Sequence, residues 1–359
     1  MKKLLTIAVP TYNRGYLLPR FFQSLWEAIG PCVDSIEVFV SDNNSRDGTD
    51  EIITEWVKRA PRGLLVTRHR QHENVGAARN LLYVMRHCNS RYFHLLGDDD
   101  RLAIDSLPKV LNILEAAEQP SAVVGSRTEE PLPTAHRGLV PVQEIGRYIY
   151  QFGCAPAGIF DRATAINVID SHNLWDFLGS VVWPQTFAGF AAACASEPRP
   201  AYIADFTLGG LLTNEWQTVA TRAYWTRCLT DLLIVAEAID RIFGKYWLRK
   251  SVFAQDCTGF HSMMQQILMH ALAGENAAKT GDLQRLLRRR FGLKGQLWAA
   301  KLWLSDRPAA YRQLFSWRWR LRRLGSATGL EEALNTIRAA CVPHSQDVTS
   351  QNKRRGDWF

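Results

Sequence analysis

The stretch His94-Leu95-Leu96-Gly97-Asp98-Asp99-Asp100 decides the reading of this chain. An apolar run stops, and three carboxylates follow in a row. Adjacent acids repel one another, the more so where water is scarce. A divalent cation or a set of hydroxyls relieves that repulsion. Hard oxygen ligands suit Mg²⁺ or Mn²⁺, which bind one or two carboxylates together with substrate phosphates. The plainer alternative is a helix N-terminus, where acids complement the dipole ahead of a helix expected at 104–118. If the strand stays extended, Asp98 and Asp100 face one way and Asp99 the other.

Outward from this stretch the same arrangement recurs twice. Residues 4–9 are apolar, end at Pro10 and run into Thr11-Tyr12-Asn13-Arg14. Residues 36–40 are apolar and run into Ser41-Asp42-Asn43-Asn44-Ser45, a dense turn signal. Between them lies helical spacing at 16–29, with Leu18, Phe21, Phe22, Leu25 and Ile29 on one side. A second helix is expected at 50–60, a third strand at 64–66, and a third helix capped by Asn74 and reaching Val84. Strands at 92–96 and 122–124 flank the helix at 104–118. Strand–helix alternation of this kind implies a parallel sheet with helices on both faces. Ligands bind such sheets at the carboxyl ends of the strands. All three polar clusters fall on that edge, so they mark one site.

Each residue there has two readings. Asp42 accepts N–H donors from a nucleobase, or only closes an Asx-type turn. Tyr12 stacks on a base, or is a partly buried residue at a strand end. Arg79 pairs with a diphosphate, or is a solvated charge on its helix.

The bulk numbers narrow the class. An apolar fraction of 47% with 22% charge is ordinary for a folded chain of 359 residues. The seven cysteines are scattered, odd in number and never in a CxxC pair. That argues against a disulfide framework or a zinc site and for a reducing compartment. The opening apolar run is shorter than the roughly 7–15 residues of a signal-peptide core, so it reads as a first buried strand. Residues 177–195 carry no charge but hold Pro184, Gln185 and two glycines, which reads as buried core rather than a membrane span.

Charge is uneven. Residues 281–325 hold twelve Lys or Arg against two acids, +10 in a chain whose net charge is +8. An anionic partner follows from that. Trp298, Trp303, Trp317 and Trp319 stand among these arginines. Amphipathic helices of this makeup lie on anionic membrane surfaces, or else bury Trp and solvate Arg. Nucleic acid is disfavoured because no recognised nucleic-acid module is present. The expected organisation is an α/β domain over 1–214, a helical region over 215–345 and a basic tail over 346–359.

Four ordered blocks carry a family resemblance: V-P-T-Y-N-R (9–14), V-S-D-N-N-S-R-D-G-T (40–49), H-E-N-V-G-A-A-R-N (72–80) and L-L-G-D-D-D-R-L (95–102). Their order and spacing resemble the family 2 glycosyltransferases with a GT-A fold, a Rossmann-like mixed sheet, over roughly residues 4–125. In wording they are closest to bacterial O-antigen and capsule transferases, deoxyhexose transferases among them. The resemblance implies a nucleotide-sugar donor, a saccharide or lipid-linked acceptor, and Mn²⁺ or Mg²⁺ as cofactor. By position, Pro10, Thr11 and Tyr12 would line the nucleobase pocket and Asp42 would hydrogen-bond the base. Arg79 would lie near the diphosphate and Asp98 would meet the ribose side. Asp99 would hold the metal in a DXD-type motif, with Asp100 beside it. The family often writes this motif D-x-D-D; here Gly97 stands in the first place. Location would be cytoplasmic, peripheral at the inner face of the cytoplasmic membrane.

The resemblance also implies an acceptor-side base, often in a Glu-Asp pair. Residues 126–215 contain no such pair. Asp176, in Trp175-Asp176-Phe177 and shortly before Trp183-Pro184-Gln185, is the expected acceptor-side base, against the alternative of a surface acid. A sugar-nucleotide pyrophosphorylase is the rival enzyme class, but it would show a Gly-rich loop after the first strand, where this chain has Pro10 to Arg14. A catalytically inactive nucleotide-binding module is the third reading, kept open by the missing pair.

Overall fold

A computed structural model describes residues 2–103, 105–127, 132, 137–153, 155–212, 231, 234–235 and 238–244. The expected helical region 215–345 lies outside the described residues except for a few positions, of which 231, 234–235 and 238–243 are helical. The basic segment 281–325 and the tail 346–359 lie outside them entirely.

The chain begins as its pattern predicts. Strand β1 (Leu5–Thr11) is followed by helix α1 (Leu18–Ile29), started by Pro19 in its first turn. A proline there costs nothing, because the first N–H groups of a helix have no partner anyway. Leu18, Phe21, Phe22, Leu25 and Ile29 are all buried beneath α1. Phe22 stacks on Trp26, with ring centroids 5.3 Å apart. Strand β2 (Ile36–Asp42), helix α2 (Thr49–Lys58), strand β3 (Leu65–Arg70), helix α3 (Ala77–His87) and strand β4 (Tyr92–Leu95) complete the first half. The third strand is longer than its apolar core and runs on through Arg68, His69 and Arg70. It is the edge of the sheet, so one face of it is free to be polar.

The second half departs from simple alternation. A short strand β5 (Asp100–Leu102) precedes helix α4 (Ser106–Glu115). Strands β6 (Ala122–Ser126), β7 (Gly138–Val140), β8 (Gly158–Asp161), β9 (Ala201–Thr207) and β10 (Gly209–Leu211) follow. Among them lie helices α5 (Ile149–Gly153), α6 (Arg162–Ser171), α7 (Trp175–Gly179) and α8 (Pro184–Ala195). The main sheet has the order β3-β2-β1-β4-β8-β6-β9-β7. Strands β1 to β4 are parallel, while β8 runs antiparallel to both β4 and β6 and β7 antiparallel to β9. The sheet is therefore mixed, as the family resemblance implies, rather than all parallel as alternation alone would have it. Helix α8, inside the uncharged run 177–195, is buried along nearly its whole length, so that run is core. Among the described residues no helix is long and apolar enough to cross a membrane.

Register sets the site. Strand β1 pairs with β2 so that Thr11 lies opposite Asp42, and with β4 so that Ala8 lies opposite Leu95. Three residues further along each chain, Thr11 comes level with Asp98.

Candidate active site

The acids do not continue a strand. Strand β4 ends at Leu95, and the Asp100 N–H donates to the Gly97 carbonyl at 3.1 Å, closing a tight turn over residues 97–100. The alternation expected for an extended strand is thereby lost. Nor do the acids open a helix: Asp100 is already the first residue of β5, and α4 begins only at Ser106. Strand β10 clamps β5: Leu211 lies opposite Asp100, and the Leu212 N–H donates to the Asp99 carbonyl at 2.7 Å. This clamp, 110 residues downstream of the acids, was not legible in the sequence beyond the Gly209-Gly210 pair. A side chain at Gly209 would strike the Arg101 carbonyl at 2.4 Å, so the close approach of the two strands requires glycine there.

Gly97 is the second such position. A Cβ there would sit 2.7 Å from Asp100 Oδ2 and 2.9 Å from Asp99 Oδ1. Its N–H donates to Asp100 Oδ2 at 3.2 Å. The turn folds its carboxylates back over Gly97, so a side chain in that place would have to displace them.

The three acids have different surroundings. Asp98 is buried and accepts a hydrogen bond from Thr11 Oγ1 at 2.6 Å. Burial pushes its carboxyl up to about 6; Asp99 adds to that, while Arg14 and Thr11 oppose it. Asp100 is buried as well, and burial followed by Asp99 raises it far above the usual carboxylate range, against the pull of Arg127. Arg127 Nη2 lies 3.8 Å from Asp100 Oδ1, yet that oxygen has no hydrogen-bond partner among the described residues. Asp99 is half-exposed between them. Arg14 leans toward this turn. Burial works against its charge, but Asp98, Asp99 and Tyr16 together outweigh that cost. Arg14 and Arg127 carried no role in the sequence reading; Arg127 sits just past β6, far from any motif.

The turn after β2 is built differently. Asp42 is fully buried. Its carboxylate accepts the Ser45 N–H at 3.1 Å and the Ser45 hydroxyl, and it faces Arg70 Nε at 3.5 Å. Burial raises Asp42, and Ser45 and Arg70 pull it back. Arg70 also donates to the Ser45 carbonyl at 2.9 Å. The loop after β1 is tied to this turn by three successive N–H groups: Asn13 to Ser45 Oγ (2.8 Å), Arg14 to Thr49 Oγ1 (3.1 Å) and Gly15 to Asp47 Oδ2 (3.1 Å). Asn43 bridges to Asn74 at 2.7 Å and to the Val75 N–H at 3.0 Å. Asn80, buried in the first turn of α3, joins Ser41 Oγ (2.6 Å) and the Ser41 carbonyl (2.9 Å). Asn74 was expected to cap α3. Instead its Oδ1 accepts the Gly76 N–H at 3.0 Å, and Gly76, at a φ of 86°, takes the cap position.

Pro10, Thr11, Tyr12, Asp42 and Asp98 thus come together at one sheet edge, with Asp99 and Asp100 on the adjoining turn. Tyr12 is half-buried there. Arg79, exposed next to Asn80, has no hydrogen bond or ion pair with another described residue. Among the described residues, no hydrogen bond or ion pair joins Asp176 to the acid turn. It is exposed in the first turn of α7, beside Trp175, whose ring lies 4.9 Å from the Arg86 guanidinium. Among the described residues no group of three His, Cys, Asp or Glu side chains is arranged to hold a metal by itself.

Known proteins show what this arrangement is like. The curated relatives include an abequosyltransferase, RfbV, of Salmonella typhimurium, 34% identical over 113 residues, which are 32% of this chain and 33% of that protein. Another is a processive diacylglycerol beta-glycosyltransferase of Mycoplasma pneumoniae, 28% identical over 103 residues, 29% of each chain. The chain spans about a third of the length of these relatives. Among solved structures, S. aureus TarS 1-349 in complex with UDP-GlcNAc shares the fold, with a TM-score of 0.53 and 14% identity over 87% of this chain and 92% of that one. The model of the family described as glycosyl transferase family 2 matches residues 6–175, a span that holds all three edge clusters. Over that span, just under half of the chain, the sequence is similar to glycosyl transferase family 2, and the fold is the GT-A fold.

Proposed function

We propose that the chain transfers a hexosyl or deoxyhexosyl group from a nucleotide-diphosphate sugar to a hydroxyl of a saccharide or lipid-linked saccharide, in the synthesis of a bacterial surface polysaccharide, with Mn²⁺ or Mg²⁺ as cofactor. The row Asp42–Thr11–Asp98, ending in an acid turn with an unspent buried oxygen, carries this reading. The abequosyltransferase relative supports sugar transfer, and the UDP-GlcNAc bound by TarS is a donor of the proposed class.

The chain's own residues divide the work. Pro10, Thr11 and the Tyr12 ring line the nucleobase pocket. Asp42, whose carboxylate is spent on Ser45 and Arg70, serves that pocket by holding its wall. Asp98, fixed by Thr11, faces the ribose side, and Arg79 meets the diphosphate. Asp99 and Asp100 would hold the metal through carboxylate oxygens, and Asp100 Oδ1, without a hydrogen bond among the described residues, is a fitting ligand atom. Bound there, the ion would stabilise charge on the leaving nucleotide as a Lewis acid. The acceptor's proton goes to Asp176, an exposed carboxylate without a hydrogen bond or ion pair to a described residue. An anionic membrane surface is the proposed partner of residues 281–325.

The test is turnover. The full chain is incubated with a panel of UDP-, GDP-, CDP- and dTDP-sugars, and released nucleoside diphosphate is measured with Mn²⁺ and with EDTA. Metal-dependent release from one donor is expected, slowed about 10²–10⁴-fold by Asp176→Asn if that residue is the base. No release from any donor sinks the reading.

A further inference from the structure

Gly179 closes α7, four residues beyond the end of the family match. A Cβ there would lie 2.9 Å from Arg79 Cγ and 3.0 Å from Arg79 Nε. The stem of Arg79 therefore rests in the space that a side chain at 179 would fill. At the opposite end of the same contact, the Trp175 ring takes the guanidinium of Arg86 at 4.9 Å. Helix α7 thus runs antiparallel along α3, and its last residue meets the first turn of α3 at the site edge. Arg79 has its stem seated but its guanidinium without a protein partner among the described residues. An unpaired arginine with a fixed stem is pre-organised for an anion, because less side-chain freedom is lost on binding.

We propose that Gly179 is a positioning residue for Arg79, and that through it α7 belongs to the donor site. The inference rests on the proposed role of Arg79 at the donor diphosphate. Chemistry separates it from a merely structural role. Gly179 has no left-handed backbone angle, so alanine fits its conformation and is a better helix former than glycine. A structural glycine replaced by alanine would cost stability. A positioning glycine would leave stability alone and cost diphosphate affinity.

The experiment is isothermal titration calorimetry on the full chain with UDP, GDP, CDP and dTDP, each beside its nucleoside. Wild type is expected to bind one diphosphate more tightly than its nucleoside. Arg79→Ala should weaken that diphosphate about tenfold to a hundredfold and leave the nucleoside unchanged. Gly179→Ala should weaken it at least severalfold with an unchanged melting temperature, and Gly179→Ser should do the same. The double variant Arg79→Ala with Gly179→Ala should be no weaker than Arg79→Ala alone, since the second change then has nothing left to displace. Full diphosphate affinity in both Gly179 variants overturns the inference, as do multiplying effects in the double variant. If wild type gives no diphosphate margin with any base, the reading of Arg79 itself fails, which is a distinct result.

Discussion

Two turns stand side by side at the carboxyl edge of the sheet, and they treat their polar groups in opposite ways. The turn after β2 spends its groups within the protein. Asp42 is taken by Ser45 and Arg70, Asn43 by Asn74 and Val75, and Ser45 also by Asn13. The turn after β4 holds three acids with few donors, and Asp100 Oδ1, buried 3.8 Å from Arg127 Nη2, has no hydrogen bond among the described residues. A satisfied buried network stiffens a wall. An unsatisfied buried carboxylate is costly by itself and is kept where a ligand completes it. One turn therefore shapes the pocket and the other is available for chemistry.

The largest effect that could break this comparison is on turnover. Asp99→Ala should lower metal-dependent sugar transfer by about 10²–10³-fold while the circular dichroism melt stays in place. Near-normal transfer would show that the acid turn is not the reacting one. Gly97→Ala should join loss of activity to a stability loss of about 1–3 kcal/mol in urea, because the new methyl must move the Asp99 and Asp100 carboxylates. The satisfied turn should answer the other way. Asp42→Ala leaves Ser45 and Arg70 without their acceptor and should cost about 1–3 kcal/mol of stability. A silent Asp42→Ala would mean the network does not stiffen the wall.

The smallest net effect is a slope in pH, because two opposed contributions partly cancel. His94 is buried in β4, four residues before the acids, and burial lowers it to about 4, partly opposed by the hydrogen bond its Nε2 makes with the Pro156 carbonyl at 2.7 Å. Its folded value lies below the unfolded value near 6.5. The unfolded chain therefore binds the proton first. His94's contribution is present above 6.5 and is lost as pH falls toward 4, up to about 3 kcal/mol. Asp98, raised to about 6 from 3.8, has the opposite sign: its contribution is present below 3.8 and lost as pH rises through 6. The two partly cancel in wild type. His94→Gln removes only the first, so its urea midpoint should fall less than that of wild type between pH 6.5 and 4.5. Equal slopes would refute the assignment.

Much of this was legible in the residues themselves. The apolar runs before Pro10, Ser41 and Gly97, with helical spacing between them, place β1, β2 and β4 and put their polar clusters on one edge. Asp42, Thr11 and Asp98 could be named because parallel strands with short turns carry their following residues to the same side. The strands past Val124 gave no such signal. Strand β10 is three residues long and two of them are glycine, so neither periodicity nor propensity marks it.

The sequence by itself determined the elements of the first half and the edge where the polar clusters meet, because burial enforces the periods of strand and helix locally. Only the tertiary structure decided what each acid does. Whether Asp98, Asp99 and Asp100 form a strand, a helix start or a folded-back turn depends on the hydrogen bonds of β10 and on the space above Gly97, both set by residues far along the chain. The seat of Arg79 is of the same kind. Gly179 matters there for the atom it lacks, a vacancy with no trace in local sequence until two helices are packed together.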